Sequence, residues 1–169
     1  RWVKLACAAK GLAFGEPESA EEWLGGPMTT MRNLRMLREA LLDISVSGRP
    51  RVLKGSLSTR PDGRVVARVF PRDIYDRTLY GGFTADVWMQ DDITPSSAVD
   101  TMAALYQGGT AEPQVTLVLG AGNVASIGPM DVMHEMFVVG SVCLLKLNPV
   151  NAYVGPVLEK AFAPWIESG

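Results

Sequence analysis

Val115-Thr116-Leu117-Val118-Leu119-Gly120-Ala121-Gly122-Asn123-Val124-Ala125 joins an apolar run to a glycine-rich turn. Its first five residues form a near-continuous apolar run of strand length, the pattern of a strand covered on both faces. Gly120 follows at once, and Gly120-x-Gly122-x-x-Ala125 fits the glycine pattern of a strand-to-helix turn that receives a dinucleotide. Glycines let the chain turn tightly and approach a phosphate, while the helix that follows offers unpaired N–H groups and the positive end of its dipole. Downstream, residues 132–139 read as a helix, Val142-Cys143-Leu144-Leu145-Lys146 as a second buried strand, and residues 152–166 as a helix disturbed by Pro164. Strand, helix, strand, helix is a βαβα unit with a right-handed crossover. The fold class expected is therefore α/β: a partial Rossmann-like cofactor-binding domain preceded by helices and a β-hairpin.

Upstream, residues 1–14 read as the tail of a helix with Trp2, Leu5 and Ala9 on one face, and residues 15–27 as a loop with an acidic turn. Thr29 or Thr30 is placed to cap an amphipathic helix running to about Ser45, since Met31, Leu34, Leu37, Leu41 and Ile44 recur at three- and four-residue steps. Two extended runs, 51–58 and 64–70, flank Arg60-Pro61-Asp62-Gly63, where Pro presets the first corner of a turn and Gly takes a positive φ. In the second run Val65, Ala67 and Val69 alternate with Arg64, Val66, Arg68 and Phe70, which suggests one wetter face. Residues 71–84 read as irregular and 84–90 as a further strand. Pro95 opens a helix that Gly108-Gly109 closes. Three regions result: a helical amino-terminal segment (1–50), a hairpin with extended chain (51–90), and the first half of a dinucleotide-binding domain (91–169).

Composition narrows the function classes. An apolar fraction of 47% with 20% charged residues suits a soluble globular chain that can bury a core. A net charge of −2 gives no drive toward nucleic acid or an anionic membrane. That average conceals 14 basic against 9 acidic side chains in residues 1–84, net +5, and 2 against 9 in the remainder, net −7. A basic half could bind phosphates, but Arg32, Arg35, Arg38, Arg64, Arg68 and Arg72 sit at helix or strand spacing and read as solvated faces, or as faces that contact something outside this chain. Cys7 and Cys143 lie far apart without a metal-ligating neighbour, which supports neither a disulfide framework nor a zinc site. No apolar run reaches membrane-span length. The opening Arg-Trp-Val-Lys lacks the apolar stretch of a signal peptide, so a cytoplasmic location is expected. A start on Arg1 without an initiator Met, and a stop on Gly169 just after a helical pattern, read as a fragment.

Two features depart from a plain dinucleotide fold. The acid expected about 20 residues beyond the glycines, which would hold the ribose, is missing: the second strand ends on Lys146, with Leu147-Asn148-Pro149 after it. The helix is also delayed by Ser126-Ile127-Gly128-Pro129. With these departures, residues 118–146 resemble the aldehyde dehydrogenase superfamily. There a strand leads into a loop ending in a fixed Asn, and a helix leads to a small-residue pair, a strand and a Lys. Asn123, Gly140-Ser141 and Lys146 occupy those places, and Lys146 follows Asn123 by 23 residues, the spacing of that family. The resemblance covers about 55 residues (115–169), including the helix at 152–166 and Gly169, and is looser upstream.

The resemblance implies that the Asn123 amide donates a hydrogen bond to the oxyanion formed when a thiolate attacks an aldehyde or thioester carbonyl. It implies that Lys146 holds the adenosine ribose or 2′-phosphate of NAD or NADP, and that the loop with Gly120 and Gly122 lies along the nicotinamide half. Three positions differ from the family. Ala121-Gly122 stands where a Pro and an aromatic precede the Asn, Val124-Ala125 replaces the usual Pro-aromatic neighbourhood, and Pro149 stands where a Glu contacts the ribose. The choice between NAD and NADP stays open. The glycine loop with its Asn is also similar to acyl-CoA reductases, which reduce thioesters by the same covalent logic.

The family's nucleophilic Cys lies well over 100 residues beyond the Lys, outside this chain. Cys143, mid-strand in an apolar run, reads as an inert core thiol, and Cys7 as helix packing. His134, the only histidine, lies on the 132–139 helix beside Met133, Glu135 and Met136 and is a candidate general base; Met130, Met133 and Met136 read as core filler and not as a cofactor box. Without the family, Asn123 also reads as a turn residue, and Lys146 as a strand-end charge reaching water. The function expected is a fragment of an NAD(P)-dependent oxidoreductase acting on a small-molecule aldehyde or acyl thioester through a cysteine thiohemiacetal. The alternative is a non-catalytic nucleotide-binding or scaffold module. Neither nucleic acid nor membrane is expected as a partner. The hairpin resembles the strands that bridge subunits in this family, implying a homo-oligomer of the full-length protein.

Overall fold

The computed structural model describes residues 1–108 and 112–168. Helix α1 (Trp2–Lys10) is followed by a 3-10 turn (Pro17–Ser19), α2 (Ala20–Trp23), a π-helical turn (Leu24–Met28) and α3 (Thr29–Ser47). Next come β1 (Leu57–Thr59), β2 (Val65–Phe70), α4 (Ile74–Leu79), β3 (Ala85–Trp88), α5 (Pro95–Asp100) and a 3-10 turn (Ala104–Tyr106). The last stretch holds β4 (Val115–Leu119), α6 (Ile127–His134), a π-helical turn (Glu135–Val139), β5 (Val142–Lys146), a 3-10 helix (Pro149–Val154), α7 (Gly155–Ala161) and α8 (Ala163–Ser168). The class is α/β. The chain forms two compact units, residues 1–39 with 108–169, and residues 40–107. Gly109 and Gly169, both singled out from the sequence, lie outside the described residues.

In the first unit β4 and β5 run parallel, Val115 opposite Val142 and Leu119 opposite Lys146, with α6 and its π-helical extension forming the crossover. One face of this pair packs inward. Val118 is buried beside half-buried Thr116, Cys143 and Leu145, and α6 sets buried Val132 and Met133 against them. A second cluster joins Trp2 and Ala6 of α1 to Val154 and Leu158, with Leu145, Leu147 and Phe162 around it. The opposite face corrects the expectation of two covers: Val115, Leu117, Leu119, Val142 and Leu144 are exposed. The reason is that α6 and α7 both pack on the Val118 side, where Val132, Cys143, Leu145, Leu158 and Phe162 line one groove. An apolar run records what a strand can bury, not how many layers lie on it.

Helix boundaries also move. α6 begins at Ile127, not at 132, because Pro129 falls in the first turn, where its missing N–H breaks no helical hydrogen bond. The helix at 152–166 divides into a 3-10 segment, α7 and α8, and Pro164, in the first turn of α8, cannot continue α7. Residues 17–28 are largely helical, not a loop. For that reason Thr29 and Thr30 are not caps: their hydroxyls donate back to the Leu24 and Gly26 carbonyls, since the preceding turn already occupies the N–H groups a cap would serve. Gly26 admits the Trp2 ring, whose Nε1 lies 2.9 Å from where a Cβ would sit. α1 buries Trp2, Val3, Ala6 and Cys7, a face rotated from the expected Trp2, Leu5 and Ala9.

The second unit carries an antiparallel sheet in the order β1-β2-β3. Its hairpin forms as the Pro-Asp-Gly turn requires: Gly63 has φ +88°, and its N–H donates to Arg60 O at 2.9 Å. The expected alternation along β2 is broken, with both Val65 and Val66 buried and a register shift between Arg68 and Phe70. Arginines here find local partners: Arg68 pairs with Asp86, Arg64 with Asp91, and Arg60 lies 4.1 Å from the Trp88 ring centre. Residues 71–84 contain α4, begun where the Asp73 side chain accepts from Asp76 N at 2.9 Å. The helix opened by Pro95 ends at Asp100, after a reciprocal Thr94–Ser97 cap. Among the described residues no helix is long and apolar enough to cross a membrane.

Candidate functional site

Three glycines let the chain close up where β4 ends. Gly120 N donates to Lys146 O at 2.9 Å, extending the ladder by one bond. A Cβ on Gly120 would stand 3.4 Å from both Lys146 O and Asn148 N. One on Gly122 would stand 3.0 Å from Asn148 Nδ2, and one on Gly128 would stand 3.3 Å from Gly120 Cα and from Leu145 Cδ1. The loop, the exit of β5 and the first turn of α6 are thus in backbone contact, a packing that larger residues would force apart.

Of the residues singled out by sequence, Gly120, Gly122 and Lys146 come together at the carboxyl ends of the parallel strands, with Asn123 on the same loop. Lys146 is exposed on the last residue pair of the ladder, opposite Leu119, and makes no ion pair among the described residues. Asn123 is exposed, and among the described residues its amide has no hydrogen-bond partner. Both side chains are free for a ligand. Carboxyl ends of parallel strands are where open α/β sheets form ligand crevices.

The sequence reading missed three residues. Asn148 caps the 3-10 helix, its Oδ1 accepting from Val150 N at 3.2 Å, and its side chain lies against Gly122. Asn151, only 3% exposed, donates through Nδ2 to Ala121 O at 2.8 Å and Gly122 O at 3.1 Å. Its Oδ1 accepts from the Tyr153 hydroxyl at 3.2 Å. Burial pushes the Tyr153 phenol above its ordinary value, and the Glu22 carboxylate adds to this against the opposing Lys10. Lys10 and Glu22 meet at 2.5 Å; that hydrogen bond holds the Lys10 ammonium above its usual range despite partial burial. The sequence signal for this group was Asn148-Pro149-Val150-Asn151, an Asn ahead of a Pro that can only open a helix.

Candidate nucleophiles are quiet. Cys143 Sγ lies 3.8 Å from Val132 O and 3.9 Å from Ser141 O, and burial followed by the nearby Glu135 carboxylate pushes its thiol up. Such a thiol stays protonated near neutral pH. Cys7 is 1% exposed in the α1 core. His134 is exposed at the end of α6, Met133 is core, and Met130 and Met136 are half-buried. Among the described residues no cluster of three or more His, Cys, Asp and Glu could hold a metal. Beneath β5 an apolar groove of about 600 Å³ runs between α6 and α7–α8, floored by Cys143 and Leu145 and walled by Phe137, Phe162 and Trp165. No family model, no curated protein and no solved structure matches the chain.

Proposed function

We propose that the chain is the cofactor-binding part of an NAD(P)-dependent oxidoreductase acting on an aldehyde or acyl thioester. The observation that carries this reading is the junction of Gly120 with Lys146: a glycine loop, an exposed Asn123 and an exposed lysine at one end of a parallel βαβ pair. A Rossmann-like use of this unit follows, with the cofactor across the carboxyl ends of β4 and β5. The donor chemistry fits a dinucleotide. Lys146 offers three N–H donors and a fixed charge to a ribose or a 2′-phosphate, and the glycines leave the loop backbone open to a close approach.

Bound there, NAD(P) supplies the hydride acceptor or donor. This chain's residues bind and orient. Lys146 holds the adenosine side, the Gly120–Gly122 loop lies along the cofactor, and Asn123 directs an amide N–H to the carbonyl oxygen as charge builds on it. Residues 118–146 resemble the aldehyde dehydrogenase superfamily in this division of labour, and the thiolate that attacks the carbonyl is then supplied outside this chain. Cys7 is buried in the α1 core and Cys143 Sγ faces the Val132 and Ser141 carbonyls, so neither thiol is placed as a nucleophile, which also fits a second reading, a nucleotide-binding or scaffold module without chemistry.

Titration with NADPH and NADH, followed by nicotinamide fluorescence, tests the reading. Saturable binding that weakens in Lys146→Ala supports it, and a folded chain that binds neither cofactor leaves the scaffold reading.

A further inference from the structure

We infer that Asn151, held in place by Tyr153, is a positioning residue that turns the N–H groups of Gly122 and Asn123 outward to receive an anionic group of the ligand. The inference rests on the dinucleotide reading above and deepens it. Asn151 is almost wholly buried and gives both amide hydrogens to consecutive loop carbonyls, Ala121 O at 2.8 Å and Gly122 O at 3.1 Å. Each carbonyl shares a peptide plane with the N–H of the next residue, and in a trans peptide the two point in opposite directions. The only cis peptide among the described residues is at Phe70-Pro71, so both loop peptides are trans. Drawing Ala121 O and Gly122 O onto one amide therefore directs Gly122 N–H and Asn123 N–H away from Asn151. Neither N–H has a partner among the described residues, and Asn123 is exposed. Successive free N–H groups of this kind suit phosphate oxygens.

Tyr153 fixes the sense of the amide. If Asn151 were turned over, its Oδ1 would face two carbonyl oxygens and its NH2 would face the phenol. With the hydroxyl donating to Oδ1 at 3.2 Å, only the observed sense satisfies every group. The phenol, kept protonated by burial and by Glu22, remains a donor throughout the neutral range. The loop thus gains its orientation from a side chain 29 and 30 residues away in sequence. No glycine pattern encodes that contact.

The test uses the ¹⁵N-labelled chain with two probes, inorganic pyrophosphate and NADPH, in wild type, Asn151→Ala and Tyr153→Phe. Pyrophosphate is expected to move the Gly122 and Asn123 amide resonances in wild type and to leave them unmoved in Asn151→Ala. NADPH affinity is expected to fall about tenfold in Asn151→Ala, the scale of losing a hydrogen-bonded anchor. In Tyr153→Phe, which keeps the ring and removes only the hydroxyl, it is expected to fall roughly threefold on the same scale. If Asn151→Ala fails to fold, Tyr153→Phe decides. NADPH binding that is equal in wild type and both folded variants overturns the positioning role while the cofactor reading stands. Pyrophosphate shifts that depend on Asn151 in a chain that ignores NADPH sustain the positioning role while the cofactor reading falls. Pyrophosphate that leaves both amides unmoved in wild type overturns the inference.

Discussion

Replacing Gly128 by alanine sets two effects of comparable size against each other. Gly128 lies in the first turn of α6, and glycine in a helix costs up to about 1 kcal/mol relative to alanine, so propensity alone favours the substitution. The new Cβ, however, would stand 3.3 Å from Gly120 Cα and 3.3 Å from Leu145 Cδ1. The Leu145 methyl can yield by rotation. Gly120 Cα cannot, because its N–H is bonded to Lys146 O at 2.9 Å, which ties the loop to the end of β5. Relief then requires α6 to move off the loop, and overpacking of this kind costs about 1–3 kcal/mol. The balance is a net loss of about 1 kcal/mol. Urea unfolding of wild type and Gly128→Ala, fitted with a common m-value, measures it. Gly25→Ala is the control. Its Cβ meets only Val124 Cγ1 at 3.6 Å, ordinary contact, so that variant is expected to be neutral or more stable. A Gly128→Ala chain as stable as Gly25→Ala would refute the close approach of helix and loop.

One buried hydroxyl and three raised pKa values give two further outcomes. Ser126 is fully buried with an Oγ that has no partner among the described residues, so Ser126→Ala removes an unpaired polar atom and is expected to raise stability by about 1 kcal/mol; a loss of that size in urea unfolding would show that the hydroxyl is satisfied. On the alkaline side, the folded values of Cys143, Tyr153 and Lys10 lie above their ordinary 9.0, 10.0 and 10.5, so the unfolded chain releases these protons first. Their contribution is intact below about pH 9 and is lost as pH rises through the folded values. Thermal melts between about pH 8 and 11 are expected to show a falling Tm, with a shallower fall in Tyr153→Phe; a flat profile counts against it.

The parts of this fold legible in the sequence are those set by neighbours along the chain. β4 and β5 are found at their full lengths because five-residue apolar runs bounded by Gly120 and by Leu147-Asn148-Pro149 have few alternatives. The Pro61-Asp62-Gly63 corner forms because its φ requirements are local. What stayed hidden depends on contacts distant in sequence, or on prolines tolerated in a first turn. Pro129 hid the start of α6, and Gly25-Gly26-Pro27 hid a helical path, kinked at Gly26, into α3. The bare face of β4–β5 could not be foreseen, since Leu117 and Val118 are equally apolar while only Val118 is covered. At the site, the nearness of Gly120 to Lys146 was implied by a strand-turn-helix-strand order. Asn151, which holds the loop carbonyls, carried no motif, because its role exists only once the 3-10 helix has folded back onto the loop.

A dinucleotide bound across the Gly120–Lys146 junction would register both in affinity and in the amide resonances of the loop. NADPH titration of the labelled chain, followed as affinity and as an amide footprint and repeated with Lys146→Ala, decides whether one binds there. Expected are saturable binding, shifts at Gly120, Gly122, Asn123 and Lys146, and an affinity about tenfold lower in Lys146→Ala, the scale of one charge-assisted contact. A footprint on Phe137, Phe162 and Trp165 in the apolar groove, or a folded chain that shows no footprint, would mean that no dinucleotide binds at the junction.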